Sequence, residues 1–330
     1  MNRRRPAPAA SAPPPAAGKI RPPADTRIPA DSSMLAAARC IVAAQTFLLD
    51  AHRAGAAEGV DPEFLHELRV TARRLRFAFR LLGPLLTPDT ERFRRRLATL
   101  MSAMETVRDL DVLLAALPED LTGTETDEAT ARRLIEFFRE QRLPMQQRLA
   151  RTLRSPDCDR LILECRRLAA TPPPSKAGAA VRFGDEPARQ GAIRLLRRTG
   201  RRALRRVETP LPERTDEELH QVRIVVRRFR YVCDFFGETV GGNSLAKARR
   251  AAAELQGLLG AIQDDRTAVE RFRAAAAALS TSGRCETDTV FALGALAQSR
   301  RRSAAKSRRK LAESAAVFHQ AVERLLRRFR

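Results

Sequence analysis

The residues best suited to chemistry are a histidine and a row of arginines at helical spacing. In the run from Asp61 to Phe77 (DPEFLHELRVTARRLRF), His66, Arg69, Arg73 and Arg76 recur every three or four positions. Arg80 continues the row and Arg74 stands beside it. Such a row puts a cation at almost every turn of one helix face, about 5.4 Å apart. A solvated charged face usually mixes signs, and this row contains no acid. Guanidinium forks grip phosphate oxygens bidentately and stay ionised, so the pattern suits a ligand of repeating phosphate charge. Stacked arginines repel one another unless a polyanion neutralises them, which favours a binding role over a merely solvated face.

The row returns 154 positions later, from His66 to His220. The run from Thr215 to Tyr231 (TDEELHQVRIVVRRFRY) gives His220, Arg223, Arg227, Arg228 and Arg230 in the same register. Each copy needs an amphipathic helix to present it. Asp61 with Pro62, and Thr215 with Glu218, are helix-start signals, the second with the spacing of a capping box. Leu65, Leu68, Ala72, Leu75, Phe79 and Leu82 form one apolar stripe; Leu219, Val222, Val226, Phe229, Cys233 and Phe236 form the other. The offset still holds at Asp111 and Asp265, so the chain contains an internal duplication. One departure is visible: Asp234 stands where the first copy has Arg80.

The two signatures, HxxRVxxRRLRF and HxxRIxxRRFRY, resemble those of the CHAD family, the conserved histidine α-helical domain. Downstream, Val107 to Asp111 (VRDLD) and Leu259 to Asp265 (LGAIQDD) resemble its acidic motif. The resemblance spans roughly residues 34–330. It implies an all-α fold of two pseudo-symmetric four-helix halves with a basic groove between them, binding inorganic polyphosphate. It further implies association with polyphosphate granules. Carried onto this sequence, the candidate contacts are His66, Arg69, Arg73, Arg74, Arg76, Arg80, His220, Arg223, Arg227, Arg228 and Arg230. Asp111, Asp265, Arg198 and Arg201 are supporting candidates. No catalytic residue, metal or cofactor is expected.

Composition agrees with a polyanionic partner. The 330 residues have a formal charge of +22, and only five of the 61 basic residues are lysine. With 44% hydrophobic residues the chain can bury a large core. Five cysteines without paired spacing read as small core residues in a reducing compartment. No stretch of about eighteen apolar residues suggests a membrane span, and the start MNRRR lacks a signal-peptide core. The expected address is the cytoplasm. Oligomeric state is open.

Taken in order, residues 1–33 read as a disordered Pro/Ala/Arg-rich tail, 34–170 as the first half, 171–187 as a linker and 188–330 as the second half. Helices are expected over 34–49, 62–82 (stopped at Gly83-Pro84), about 90–117, 128–154 with a kink at Pro144, and 157–169. A polar loop is expected from Pro118 to Asp127. In the second half they are expected over 189–207, 216–236, 244–259, 265–280 and 289–328. No useful β-period is present.

Asp111 and Asp265 invite an acid/base role, but carboxylates can cap helix starts or hold an arginine in place, and that structural role is preferred. Neither a phosphate-cradling glycine loop nor a nucleophile elbow occurs. His52 and His319 have no second ligand at zinc spacing. Two other classes stay open. One is sequence-independent nucleic-acid binding, disfavoured by the lack of Trp and the single Tyr231. The other is phosphate transfer or hydrolysis, for which no metal-binding carboxylate set is evident.

Overall fold

The helical periods set the architecture. The computed structural model describes residues 17–29, 31–170, 179–208, 210–281 and 286–329. The first half supplies α1 (Met34–Glu58), α2 (Pro62–Leu86), α3 (Thr90–Thr122), α4 (Glu128–Leu153) and α5 (Pro156–Ala170). Short α6 (Ala179–Asp185) leads to α7 (Ala188–Val207), α8 (Asp216–Phe235), α9 (Gly237–Val240), α10 (Asn243–Thr281), α11 (Thr287–Arg309) and α12 (Leu311–Arg328). Among the described residues the only β-type pairing is an isolated bridge between Ser33 and Pro187. The fold is all-α.

That bridge reveals how the halves are related. The Met34 amide donates to the Glu186 carbonyl at 2.8 Å, and the Ala188 amide donates to the Ser32 carbonyl at 2.8 Å. Each bond is the image of the other under the 154-residue offset, so a pseudo-two-fold axis passes between Ser33 and Pro187. Phe77 and Tyr231 are also images, and their ring centroids lie 5.8 Å apart. The axis therefore lets α2 and α8 meet through side chains such as these rings rather than along their lengths.

In the first half α1 to α4 close a ring, with α5 laid on α1. In the second α7, α8, α10 and α12 close it, while α11 runs along α10 and reaches α3 and α4. The four-helix units are thus each enlarged by a fifth long helix. Both expected apolar stripes are fully buried, at about 1.5–3 kcal/mol for each large side chain. They belong to one core that runs through both halves. A smaller core of Leu110, Leu113, Leu117, Phe138, Phe272 and Leu293 ties the far ends of α3 and α4 to α10 and α11.

Several boundaries differ from expectation. Helices α2 and α3 run through Pro84 and Pro118, where stops were expected, whereas α4 runs through Pro144 over the expected span. All three prolines are exposed, so water serves the carbonyls they free. Buried Leu85, Leu86, Leu121 and Leu149 hold the following turns in place. The expected break before Asp265 is absent, because Leu259, Ile262, Ala268 and Phe272 keep one face of α10 buried throughout. Conversely, 289–328 divides at Lys310 into two helices.

Residues 1–16 of the expected tail and 171–178 of the expected linker lie outside the described residues. Residues 17–29 are not a loose tail. They form two 3-10 turns, with Ala17 buried and Ile20 and Ile28 against the core. Buried His52 anchors them, its Nε2 3.1 Å from the Ala17 carbonyl and its Nδ1 2.7 Å from the Leu48 carbonyl. Two isoleucines in a Pro-rich stretch thus outweigh its composition. Residues 179–185 of the linker are helical and pack on α1 and α2.

Helix α1 is long and apolar enough to cross a membrane by length and composition alone, contrary to the expectation that no such stretch exists. Here half of that stretch is buried, packed on α2, α4, α5 and α7. Cys158, Cys165 and Cys233 are buried and unpaired. Burial pushes the Cys165 thiol up to about 12, so it behaves as a core side chain.

Candidate anion-binding site

The two signature helices start where local chemistry fixes them. The Asp61 side chain accepts from the Glu63 amide at 2.9 Å. The Thr215–Glu218 capping box forms in full. Ahead of α2 the chain turns at Gly59, whose φ of +72° favours glycine. The Gly59 carbonyl accepts from Arg142 at 3.2 Å, and the Arg142 fork is held by Asp111 at 2.5 Å. The acidic motif of the first half therefore secures the turn that aims His66. In the second half Asp265 holds Arg300 at 3.1 Å, and Arg300 also pairs with Asp120. There the turn before α8 is secured by Arg308 instead, which donates to the Pro212 and Arg214 carbonyls and pairs with Asp216.

Asp111 and Asp265 stand in mid-helix rather than near helix starts, so of the two structural roles expected only arginine pairing is realised. Burial pushes the Asp111 carboxyl above the usual carboxylate range, against the opposing pull of Arg142.

Between α2 and α8 the arginine rows meet. A cleft of about 140 Å³ is lined by His66, Arg69 and Arg73 from the first half and Arg223 from the second. Arg108 of α3 and Arg300 of α11 complete its cationic lining, and Asp109 and Asp264 are its only acids. Asp109 is engaged with Arg271 at 3.3 Å, and Arg69 with Glu105 at 3.6 Å. Arg73, Arg76, Arg80, Arg108, Arg223, Arg227 and Arg228 have no acid within 4.0 Å among the described residues. Val70, Val112, Leu113 and Ala268 give it an apolar part, the last two from the smaller core.

Crowding of like charge shows in the titration of these groups. Burial, then Arg73, brings the Arg227 guanidinium down to about 9. Burial, then Arg80, Arg202, Arg76 and Arg94, brings Arg228 down to about 10. Arg69 and Arg223 are lowered by burial first as well. His66 is lowered by burial and then by Arg108, against Glu63 and Glu67. These arginines stay charged at neutral pH at a cost to the fold. An anion in the cleft would remove that cost.

The placement of the remaining candidates is uneven. Arg74 is drawn to Asp234 at 3.1 Å. Arg230 lies over the Tyr231 ring, 5.8 Å from its centroid. His220 is half-buried and does not line the cleft, unlike His66. Arg198, Arg201 and Arg202 are all exposed on α7 and none lines the cleft, but the charge of Arg202 alone among them lowers Arg80 and Arg228. Arg108 and Arg300, which line the cleft, and Arg94 and Arg202, whose charges bear on Arg80 and Arg228, are not among the sequence candidates. Arg108 was discoverable inside the VRDLD motif, whereas the others arrive only through packing. Glu63, His66 and Glu67 bring ligand-type atoms within 4.8 Å of one another. The cations around His66 favour an anion there over a metal.

An all-α, internally duplicated bundle whose halves share an arginine-lined cleft is therefore the class of this protein. The sequence profile of the CHAD domain matches residues 40–273, and the chain belongs to the CHAD domain family. Among solved structures it resembles the CHAD domain from the plant Ricinus communis, with a TM-score of 0.73 and 22% identity over 90% of this chain and 96% of that one. It also resembles PptA from Streptomyces chartreusis, with a TM-score of 0.59 and 20% identity over 88% of this chain and 99% of that one. Comparison with curated proteins finds no match.

Proposed function

We propose that this chain binds inorganic polyphosphate in the groove between α2 and α8 and does not turn it over. The observation that supports this most is that both halves contribute arginines without an acid partner, Arg73 and Arg108 from the first and Arg223 from the second, to one cleft. Arg69, Arg73, Arg108, Arg223 and Arg227 grip the chain there, His66 adds a titratable donor, and Arg76, Arg80 and Arg228 extend the grip along the groove. A flexible polyanion without bases needs repeated forks and little else. We place the protein in the cytoplasm, where polyphosphate granules are the expected destination.

The other readings are less well supported. Tyr231 is 2% exposed beneath arginines, so it offers no face on which a base could stack. Nucleic acid would have only its phosphates to offer. Asp111 and Asp265 are committed to Arg142 and Arg300 and offer no metal-binding pair for hydrolysis. Incubation of the protein with polyphosphate and magnesium should release no orthophosphate above a protein-free control. Binding itself is tested by heat: saturating polyphosphate should raise Tm, by about 4 kcal/mol of added stability at a thousand-fold excess over Kd. An unchanged melting curve would remove the proposal.

His66 gives the binding a pH dependence of defined sign. Its free-state pKa is lowered from 6.5, and a polyanion reverses the local field and raises it. Binding then takes up a proton, so affinity rises as pH falls through the bound-state range and levels off below the free-state value. His66→Gln should flatten the profile between pH 5.5 and 8.5, while His220→Gln, outside the cleft, should leave it standing. Affinity curves for the two variants that run parallel to wild type would give His66 a structural role only.

A further inference from the structure

The pseudo-two-fold makes every position of the groove comparable with its image, and one pair of images differs in charge. Arg74 and Arg228 are images, as are Arg80 and Asp234. On one side of the axis Arg74 meets Asp234 at 3.1 Å, and Arg249 reaches the same carboxylate at 3.5 Å. On the other side the symmetry sets Arg228 against Arg80, as it sets Arg74 against Asp234, and no acid pairs with either among the described residues. The surroundings follow the same division. The charges of Arg94 on α3 and Arg202 on α7 bear on both Arg80 and Arg228, with Glu91 opposing them at Arg80. The images of Arg94 and Arg202 are Ala248 and Leu48. On the Asp234 side Arg21 and Arg27 of the N-terminal segment line one cavity with Asp234, Glu238 and Arg249, so two acids there answer the cations.

We propose that the groove holds its polyanion on one side of the axis only, in a phosphate subsite made by Arg76, Arg80, Arg94, Arg202 and Arg228. At the image position the Asp234 carboxylate takes the place of a phosphate between Arg74 and Arg249. The chain of phosphates then runs from the His66 cleft past Arg73 and Arg227 toward Arg80 and leaves between α3 and α7. Arg94 is partly engaged with Glu91, so its fork is shared, whereas Arg202 is free to turn to the ligand. A two-sided groove would let the polyanion cross the axis in either direction. A one-sided groove gives it a single path, which depends on Asp234.

This inference rests on the polyphosphate reading, and the test separates the two. Affinity for long-chain polyphosphate and for tripolyphosphate is measured at several salt concentrations, with the melting curve of each variant as a folding check. Arg228→Gln, and Arg80→Gln with Arg202→Gln, should each lose about tenfold or more of long-chain affinity. Arg74→Gln, the image of the first, should lose less than about threefold, because its charge is already answered by Asp234. Asp234→Asn frees Arg74 and Arg249 and should raise affinity and steepen the logarithmic salt slope by about one to two. Equal losses for Arg74→Gln and Arg228→Gln, or an unchanged slope for Asp234→Asn, would overturn the one-sided path while leaving polyphosphate binding in place. Absence of binding by the wild type would instead overturn the functional reading.

Discussion

Replacing Arg73 and Arg227 together with Gln is expected to weaken polyphosphate binding by about a hundred- to ten-thousand-fold, on the basis of two charged hydrogen-bonding groups at ~1.5–3 kcal/mol each. The same variant should melt higher than the wild type. The two expectations have one cause. Arg227 is brought down from 12.5 to about 9, by burial first and by Arg73 next. A base lowered in the folded state destabilises the fold wherever it is charged, and that cost is relieved only as pH rises from about 9 toward 12.5. At neutral pH the cost is fully present. Removing it should add of order 2 kcal/mol after partial solvent screening, a Tm rise of about 2–4 °C. Bound polyphosphate would have a similar effect by supplying the missing negative charge. Calorimetric titration and circular dichroism melts on the same samples check both signs. A variant that both binds and melts as the wild type does would show that these arginines neither repel one another nor touch the ligand.

Asp265→Ala should act in the opposite direction on stability. Its side chain is 4% exposed, and it holds Arg300 at 3.1 Å together with Asp120. Breaking a buried ion pair from one side leaves a charge without its partner, at about 3–5 kcal/mol, so Tm should fall by about 5 °C. Binding should weaken as well, because Arg300 lines the cleft. Asp111→Ala should lower Tm comparably, since it frees Arg142 from its place at the Gly59 turn. Its effect on binding should be smaller, being transmitted only through the start of α2. Melting curves and titrations of the two variants check this pair of expectations. If either variant melted normally and lost orthophosphate-releasing activity that the wild type possessed, that acid would be catalytic rather than a clamp.

Much of this could be read from the chain itself. Asp61 and Thr215 cap the helices they were expected to cap. The 154-residue offset appears in space as the reciprocal hydrogen bonds at Ser33 and Pro187. Such features are local in sequence or fixed by register. The features that were misread depend on distant packing. Pro84 and Pro118 are ordinary helix stops until buried Leu85, Leu86 and Leu121 hold the next turn to the core. Ile20 and Ile28 count for little in a Pro-rich stretch until the core offers them a surface. On α7 it is the charge of Arg202, not of Arg198 or Arg201, that bears on Arg80 and Arg228, a matter of α7's rotation that its dense arginines hide. The acid at position 234 was visible as a shortened stripe, but its partnership with Arg74 and Arg249 required the fold.

The most direct test of the central claim is a binding competition at 0.15 M salt, near-physiological screening. Long-chain polyphosphate, pyrophosphate, duplex DNA and single-stranded RNA compete for the wild-type protein at equal phosphate concentration. Long-chain polyphosphate should displace both nucleic acids and far exceed pyrophosphate, which spans too little of the groove to engage both halves. Displacement of polyphosphate by DNA or RNA under these conditions would contradict the account, and the groove would then be a nucleic-acid surface.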